Sequence, residues 1–337
     1  LCSEAHYDAA RKIAQEGIVL LKNDKIKELK NERLLPLDKS KQQRILVVGE
    51  NAIKMMTVGG GSSSLKVQHE ILPLDAMNVQ CSMLNVQCDF ARGYVGDTIQ
   101  SFDGVTVGRS LRETRSQAEL IAEAVEKAKQ ADVVIFFGGL NKSDYQDCEG
   151  HDRKQYELPY GQNELIEALV AVNPRLVYVN ISGNAVAMPF ANKVPAILQA
   201  WFLGSEAGNA IADVLFGDVN PSGKLPYTWY QRLDDCGAHA LKAFPGTWRD
   251  DYKIIDEEYK EGIYVGYRYF DTFGVKPRYA FGYGLSYTTF DIAYVSATAE
   301  MGAVTARAAV TNTGSVAGKE VVQLYASVPF GDGAEKQ

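Results

Sequence analysis

Over its first two thirds the chain alternates regularly between two patterns. Short, nearly continuous apolar runs, RILVVGENA at 44–52, ADVVIFFGGL at 131–140, PRLVYVNISG at 174–183 and VPAILQAWF at 194–202, have strand length. A strand apolar on both faces belongs in the interior of a parallel sheet, covered by helices above and below. Between the runs lie SQAELIAEAVEKAKQ at 116–130, GQNELIEALVAVN at 161–173 and SEAGNAIADVLFG at 205–217, whose apolar residues recur at helical spacing. Ser116 and Glu119 form a capping-box pair at the start of the first. EAHYDAARKIAQE at 4–16 reads as a helix, GIVLLKN at 17–23 as a strand, and LPLDAMNVQ at 72–80 as a short helix with Pro73 near its start. The expected fold class is α/β, a layered α/β sandwich with a mainly parallel sheet, over residues 1–229.

The pattern then changes. Residues 230–287 are rich in Tyr, Gly and charge and read as an ordered connector. From 288 the apolar period drops to two, in FDIAYVSATAE, AVTARAAVTNTG and KEVVQLYASV. Three such strands begin a β-sandwich, which needs about seven strands and ~100 residues to close, so 288–337 is expected to be incomplete.

The bulk properties narrow the function. A net charge of −7 with a pI near 5.3 argues against nucleic acid or anionic membrane as partner, since both need a concentrated positive face. The apolar runs are far short of a membrane span. Cys2, Cys81, Cys88, Cys148 and Cys236 are odd in number, share no metal-type spacing, and read as buried free thiols of a reducing compartment. That leans the chain toward the cytoplasm rather than secretion, and a Cys81–Cys88 bridge stays open. Cys148 adjoins Glu149 without the histidine pattern of a thiolate nucleophile. His6, His69, His151 and His239 are scattered; no metal and no cofactor are expected.

Chemistry is expected in the loops beyond the carboxyl ends of the strands. Two are unusual. GGGSSS at 59–64 lets backbone approach a ligand and offers hydroxyls. It lacks the GxGxxG pattern and a following Lys-Ser/Thr pair, so a nucleotide site is disfavoured. KSDYQDCEGHDRK at 142–154 crowds Asp144, Asp147, Glu149 and Asp152 between Lys142 and Arg153. Gly150 frees the backbone to present Glu149, and Asp152 and Arg153 can hold the turn by pairing with each other or with the scaffold. Crowding by Asp144 and Asp147 should raise one carboxyl pKa, as a proton donor near neutral pH requires. Glycoside hydrolysis uses such a group with a second carboxylate across the scissile bond.

EGHDRKQYELPYGQNELI at 149–166 resembles the acid/base loop of glycoside hydrolase family 3, whose pattern is Glu-Gly-x-Asp-Arg followed by Leu-Pro-x-x-Gln-x-x-Leu-Ile. ARKIAQEGIVLLKN, LLPLD, GGGSSS, GSEAGNAIADVLFGDVNPSGKLPYTWY and YKEGIYVGYRYFDTFGVKPRYAFGYGLSYTTF are similar, in order, to further segments of that family. The resemblance implies part of a retaining, exo-acting β-glycosidase, most simply a β-glucosidase releasing terminal non-reducing glucose from β-linked glucosides or oligosaccharides. It makes Glu149 the general acid/base, sets Gly60, Gly61, Ser62 and Ser63 along an outer substrate subsite, and gives Asp152 and Arg153 a loop-shaping role. It makes Asn209, Asp213, Asn220 and Lys224 structural, and the segment from 288 fibronectin type III-like.

The family's nucleophile is an aspartate on a (β/α)8 barrel. Ser143-Asp144-Tyr145 is similar to its Ser-Asp-Trp motif but lies on the acid/base loop itself, so the barrel is expected on another segment, before or after this one, with the reversed order favoured. A β-xylosidase of the same family and a non-catalytic carbohydrate-binding or scaffolding module remain alternatives, and a homo-oligomer stays open.

Overall fold

A computed structural model describes residues 2–27, 30, 32–41, 43–96, 101–102, 105–106, 110–251 and 253–326 of the chain. They divide into two compact units, one within 1–223 with 285–287 and one within 224–284 with 288–337.

In the first unit the alternating pattern folds as read. In chain order come α1 (Glu4–Gly17), β1 (Val19–Asn23), β2 (Arg44–Val48), α2 (Pro73–Met83), β3 (Gln87–Ala91), α3 (Gln117–Gln130), β4 (Val133–Gly139), α4 (Gln162–Val172), β5 (Leu176–Ile181), β6 (Ala196–Gln199) and α5 (Ala207–Leu215). One six-stranded sheet runs in the order β1-β6-β5-β4-β2-β3. Its pairings are parallel except at the β1 edge, where Val19 lies antiparallel to Gln199 of β6.

Burial explains the apolar runs. Every residue of β4 and β5 is buried. Ile45, Val47, Ile135, Phe137, Val177 and Val179 share one core cluster. The alternate positions Phe136 and Tyr178 join an aromatic layer with Tyr94 and Phe190, the centroids 4.9–6.1 Å apart. α3 begins with the expected capping box: Glu119 N donates to Ser116 Oγ at 3.3 Å, and Ser116 N donates to Glu119 Oε2 at 2.7 Å. It buries Leu120, Ala124 and Ala128, every fourth residue, and ends on Lys127 and Lys129, which suit its C-terminal dipole.

The polar residues of the 204–230 stretch have protein partners. Asp213 of α5 takes a two-pronged bond from Arg11 of α1, Nε to Oδ2 at 2.7 Å and Nη2 to Oδ1 at 2.5 Å. Asn209 donates to Glu206 at 2.6 Å, and Asn220 Oδ1 accepts from Ser286 Oγ and Tyr287 N, each at 2.8 Å. The five cysteines are free, and the expected burial does not hold throughout: Cys81 is buried, whereas Cys2 is exposed.

In the second unit Trp229 is buried and exchanges backbone bonds with Tyr279, and Lys224 donates to Gly284 O at 2.7 Å and pairs with Glu320 at 2.7 Å. It contains α6 (Gly237–Ala240), a hairpin of β7 (Thr247–Arg249) and β8 (Ile254–Asp256), and α7 (Tyr267–Phe273). Of the three strands expected after 288, two form, β9 (Phe290–Glu300) and β10 (Ala303–Asn312), paired antiparallel. The third is a correction: 319–326 of KEVVQLYASV pairs with no strand among the described residues, and 327–328 lie outside them. Alternation selects which side chains share a face, but a strand forms only where a ladder partner completes its backbone bonds.

Candidate active site

The topology brings two separated loops together. From β2 the chain crosses first to β3 on one side and then to β4 on the other, so the winding direction reverses between β2 and β4. At such a switch point the loops beyond the carboxyl ends part and leave a crevice. The loop after β2 carries GGGSSS and the loop after β4 carries the acidic run.

The two loops interlock. Asn51 Nδ2 donates to Leu140 O at 2.9 Å, Lys142 Nζ to Ser63 O at 3.1 Å, and Glu149 N to Gly60 O at 3.2 Å. The 3-10 turn Gly61–Ser63 then grips the Glu149 side chain. Ser62 N donates to Glu149 Oε2 at 2.8 Å, and Ser62 Oγ donates to the same oxygen. Only glycine serves at 61: φ is +82°, and a Cβ there would fall 2.7 Å from the Glu149 Cβ.

A third element fixes the base of the acidic loop. The turn after β5 donates to both Asp147 oxygens, Gly183 N to Oδ2 at 2.7 Å and Asn184 Nδ2 to Oδ1 at 2.8 Å. Beneath it Asn180, Ser182 and Gln199 form a buried network: Asn180 Nδ2 donates to Ser182 Oγ at 2.7 Å, and Gln199 Nε2 to Ser182 O at 2.8 Å. Such a closed network rigidifies what rests on it. Arg153 fastens the far end of the loop by donating to Ala185 O at 2.8 Å. The scaffold, rather than Asp152, is therefore its partner; Asp152 is exposed.

Between these pieces opens a cleft of about 570 Å³, walled by Gly60, Lys142, Gln146, Glu149, Arg153 and Phe202. Of two lining residues, Gln146 Oε1 and Arg153 Nη1 are buried with no hydrogen-bond partner among the described residues. A larger hollow of about 710 Å³ lies at the amino ends of β4 and β5, near Asp132 and Arg175. That is the wrong end of a parallel sheet for a ligand.

The electrostatics correct one expectation. Within the acidic loop the carboxyl with a raised pKa is Asp147, and burial is the main cause, opposed by the Gly183 and Asn184 bonds. Glu149 moves the other way: the Ser62 hydroxyl and backbone N–H hold it below the usual carboxylate range. Proximity in sequence to Asp144 and Asp147 does not decide its charge, because Glu149 stands exposed with two donors on one oxygen. Burial also pushes the Lys142 ammonium down.

The residues singled out from sequence thus collect in one place. Gly60, Ser63, Glu149, Asp152 and Arg153 line the cleft, while Gly61 and Ser62 stand behind Glu149 and hold it. The sequence reading missed the anchoring role of Asp147 and its partners Gly183 and Asn184. The one visible signal for them was the polar run Asn180–Ser182–Gly183–Asn184 ending an otherwise apolar strand. It also missed that Asp144, Cys148 and His151 converge, with one ligand-type atom from each within 4.8 Å of the others.

Comparison with known proteins gives concordant results. The family profile "Glycosyl hydrolase family 3 C-terminal domain" matches residues 18–287. The curated β-glucosidase BoGH3A of Bacteroides ovatus is 47% identical over 340 residues, covering 96% of this chain and 42% of that protein. Thermostable β-glucosidase B of Acetivibrio thermocellus is 36% identical, covering 96% and 38%. Among solved structures, the family 3 β-glucosidase of Bifidobacterium adolescentis superposes with a TM-score of 0.75 at 33% identity, covering 93% of this chain and 41% of that one. The chain therefore spans less than half the length of each.

Proposed function

The chain belongs to glycoside hydrolase family 3, and from that membership we propose that it supplies the general acid/base of a retaining, exo-acting β-glycosidase of the β-glucosidase type. Glu149 is the proton-transfer group. The observation that carries this is its setting: an exposed carboxylate at the lip of the switch-point cleft, on a loop anchored at Asp147 and Arg153. Relatives named β-glucosidase support the substrate class, a terminal non-reducing glucose in β linkage.

The opposing aspartate belongs to a (β/α)8 barrel segment that packs over this cleft. It attacks the anomeric carbon while Glu149 gives its proton to the departing glycosidic oxygen, leaving a covalent glycosyl-enzyme. Glu149, now a carboxylate, then takes a proton from the water that releases the sugar. This two-step geometry needs the carboxyl groups roughly 5–5.5 Å apart.

The lowered pKa of Glu149 fits this cycle. The nucleophile's negative charge raises the pKa of a neighbouring carboxyl and lets Glu149 hold a proton for the first step. Once the aspartate is esterified that charge is gone, and the Ser62 donors favour the carboxylate that the second step uses as base. The test is Glu149→Gln in the enzyme assembled with its barrel segment. Turnover should fall roughly 10²–10⁴-fold, the usual worth of general acid/base catalysis. Unchanged turnover would leave the chain a binding or scaffolding module.

A further inference from the structure

We propose that Asp144, Cys148 and His151 form a binding site for a divalent cation of the zinc class, on the loop that carries Glu149. One carboxylate oxygen, one thiol sulfur and one imidazole nitrogen lie within 4.8 Å of one another, and His151 Nδ1 and Asp144 Oδ1 are 3.4 Å apart. A tetrahedral zinc ion holds oxygen, nitrogen and sulfur at about 2.0–2.3 Å, which sets its ligand atoms roughly 3.5 Å from each other. The exposed side chains of Asp144 and His151 need only small rotations to close the remaining gap, and an ion from solution can reach them. A carboxylate, a thiolate and a neutral imidazole carry two negative charges, which balance a divalent ion, and they leave a fourth position for water.

The backbone holds these donors in register. Gln146 N bonds Ser143 O at 3.1 Å, Asp147 N bonds Asn141 O at 3.0 Å, and Asp147 and Glu149 are tied to neighbouring loops. Cys148 Sγ now makes only a 3.4 Å contact with His151 O, a weak bond that an ion would replace. The Tyr145 ring stands 5.1 Å from the His151 ring and limits its rotation, and the Lys154 ammonium is engaged over Tyr145 at 3.9 Å. Glu149 stays with Ser62 and is not among the donors. The spacing Asp-x3-Cys-x2-His spans eight residues of one loop, so the site needs no other segment. A bound ion would stiffen the loop on both sides of Glu149 and slow glycosidic turnover. That consequence rests on the acid/base reading, whereas the binding does not.

The test is direct titration of the full chain with Zn²⁺ by calorimetry and with Co²⁺ by absorption spectroscopy, without substrate. One equivalent of Zn²⁺ should bind with release of the Cys148 proton, and Co²⁺ should show an intense thiolate-to-metal band. Cys148→Ser should abolish the band, and His151→Ala should weaken binding at least tenfold, both with an unchanged unfolding midpoint of the metal-free protein. Absence of saturable binding overturns the site. So does a band that persists in Cys148→Ser and disappears in Cys81→Ser, which would put the ion at the Cys81–Cys88 pair. Should Cys148→Ser prove unstable, Asp144→Asn with His151→Ala gives the same decision.

Discussion

Ser62 holds Glu149 across 87 residues of sequence, with its backbone N–H 2.8 Å from Oε2 and its hydroxyl on the same oxygen. Both donors favour the carboxylate form. Ser62→Ala removes the hydroxyl and keeps the N–H, so the Glu149 pKa should rise toward the ordinary range. In the proposed acid/base role the protonated Glu149 governs the alkaline limb of the pH–rate profile, which should therefore move to higher pH. The linked stability has a definite sign as well. A lowered carboxyl pKa contributes stability above the unfolded value that is lost as pH falls through the folded one, so the variant should lose less on acidification. Carbon-13 titration of Glu149 in both proteins reads the shift directly; identical titrations would contradict the account.

Gly61→Ala tests the grip from the other side. Its φ of +82° strains any L residue, and its Cβ would stand 2.7 Å from the Cβ and 2.8 Å from Oε2 of Glu149. The expected cost is about 1–3 kcal/mol, of which about 1–2 kcal/mol is backbone strain. Gly150→Ala is the control, since φ is +80° but nothing lies within 4 Å of its added Cβ. Thermal unfolding should show the larger loss at 61, together with the larger fall in turnover.

Asp147→Ala should destabilise the first unit by about 1–3 kcal/mol, because it leaves the Gly183 N–H and the Asn184 amide without their acceptor. Burial raises the Asp147 pKa. A raised folded value means its contribution is fullest below the ordinary carboxylate pKa and declines as pH rises through the folded pKa. The deficit of the variant, followed by urea unfolding across pH, should shrink in that direction.

What the sequence disclosed follows from burial. Strands such as Val133–Gly139 and Leu176–Ile181 announce themselves because a strand covered on both faces has no room for polar side chains. Gln87–Ala91 does not, since it is an edge strand with partial burial and carries Gln87 and Asp89. The acidic loop stood out by its charge and motif, and its neighbour by its glycines. The clasp did not: nothing local to Ser62 or Glu149 shows that the switch point joins them. Crowding along the chain predicts one raised carboxyl pKa but not which one or why: burial raises Asp147, and the Ser62 donors lower Glu149. Asp144, Cys148 and His151 escaped notice because their convergence depends on how the loop turns back at Tyr145, which adopts φ +61°.

The central claim is that Glu149 transfers the proton in both steps, and Glu149→Ala assayed across leaving groups, with and without azide, tests it most directly. The account predicts that glucosides with poor leaving groups lose roughly 10²–10⁴-fold while strongly acidic phenol leaving groups retain their glycosylation rate. Azide should restore turnover and yield the β-glucosyl azide. An equal loss for every leaving group, with no azide product, would contradict it.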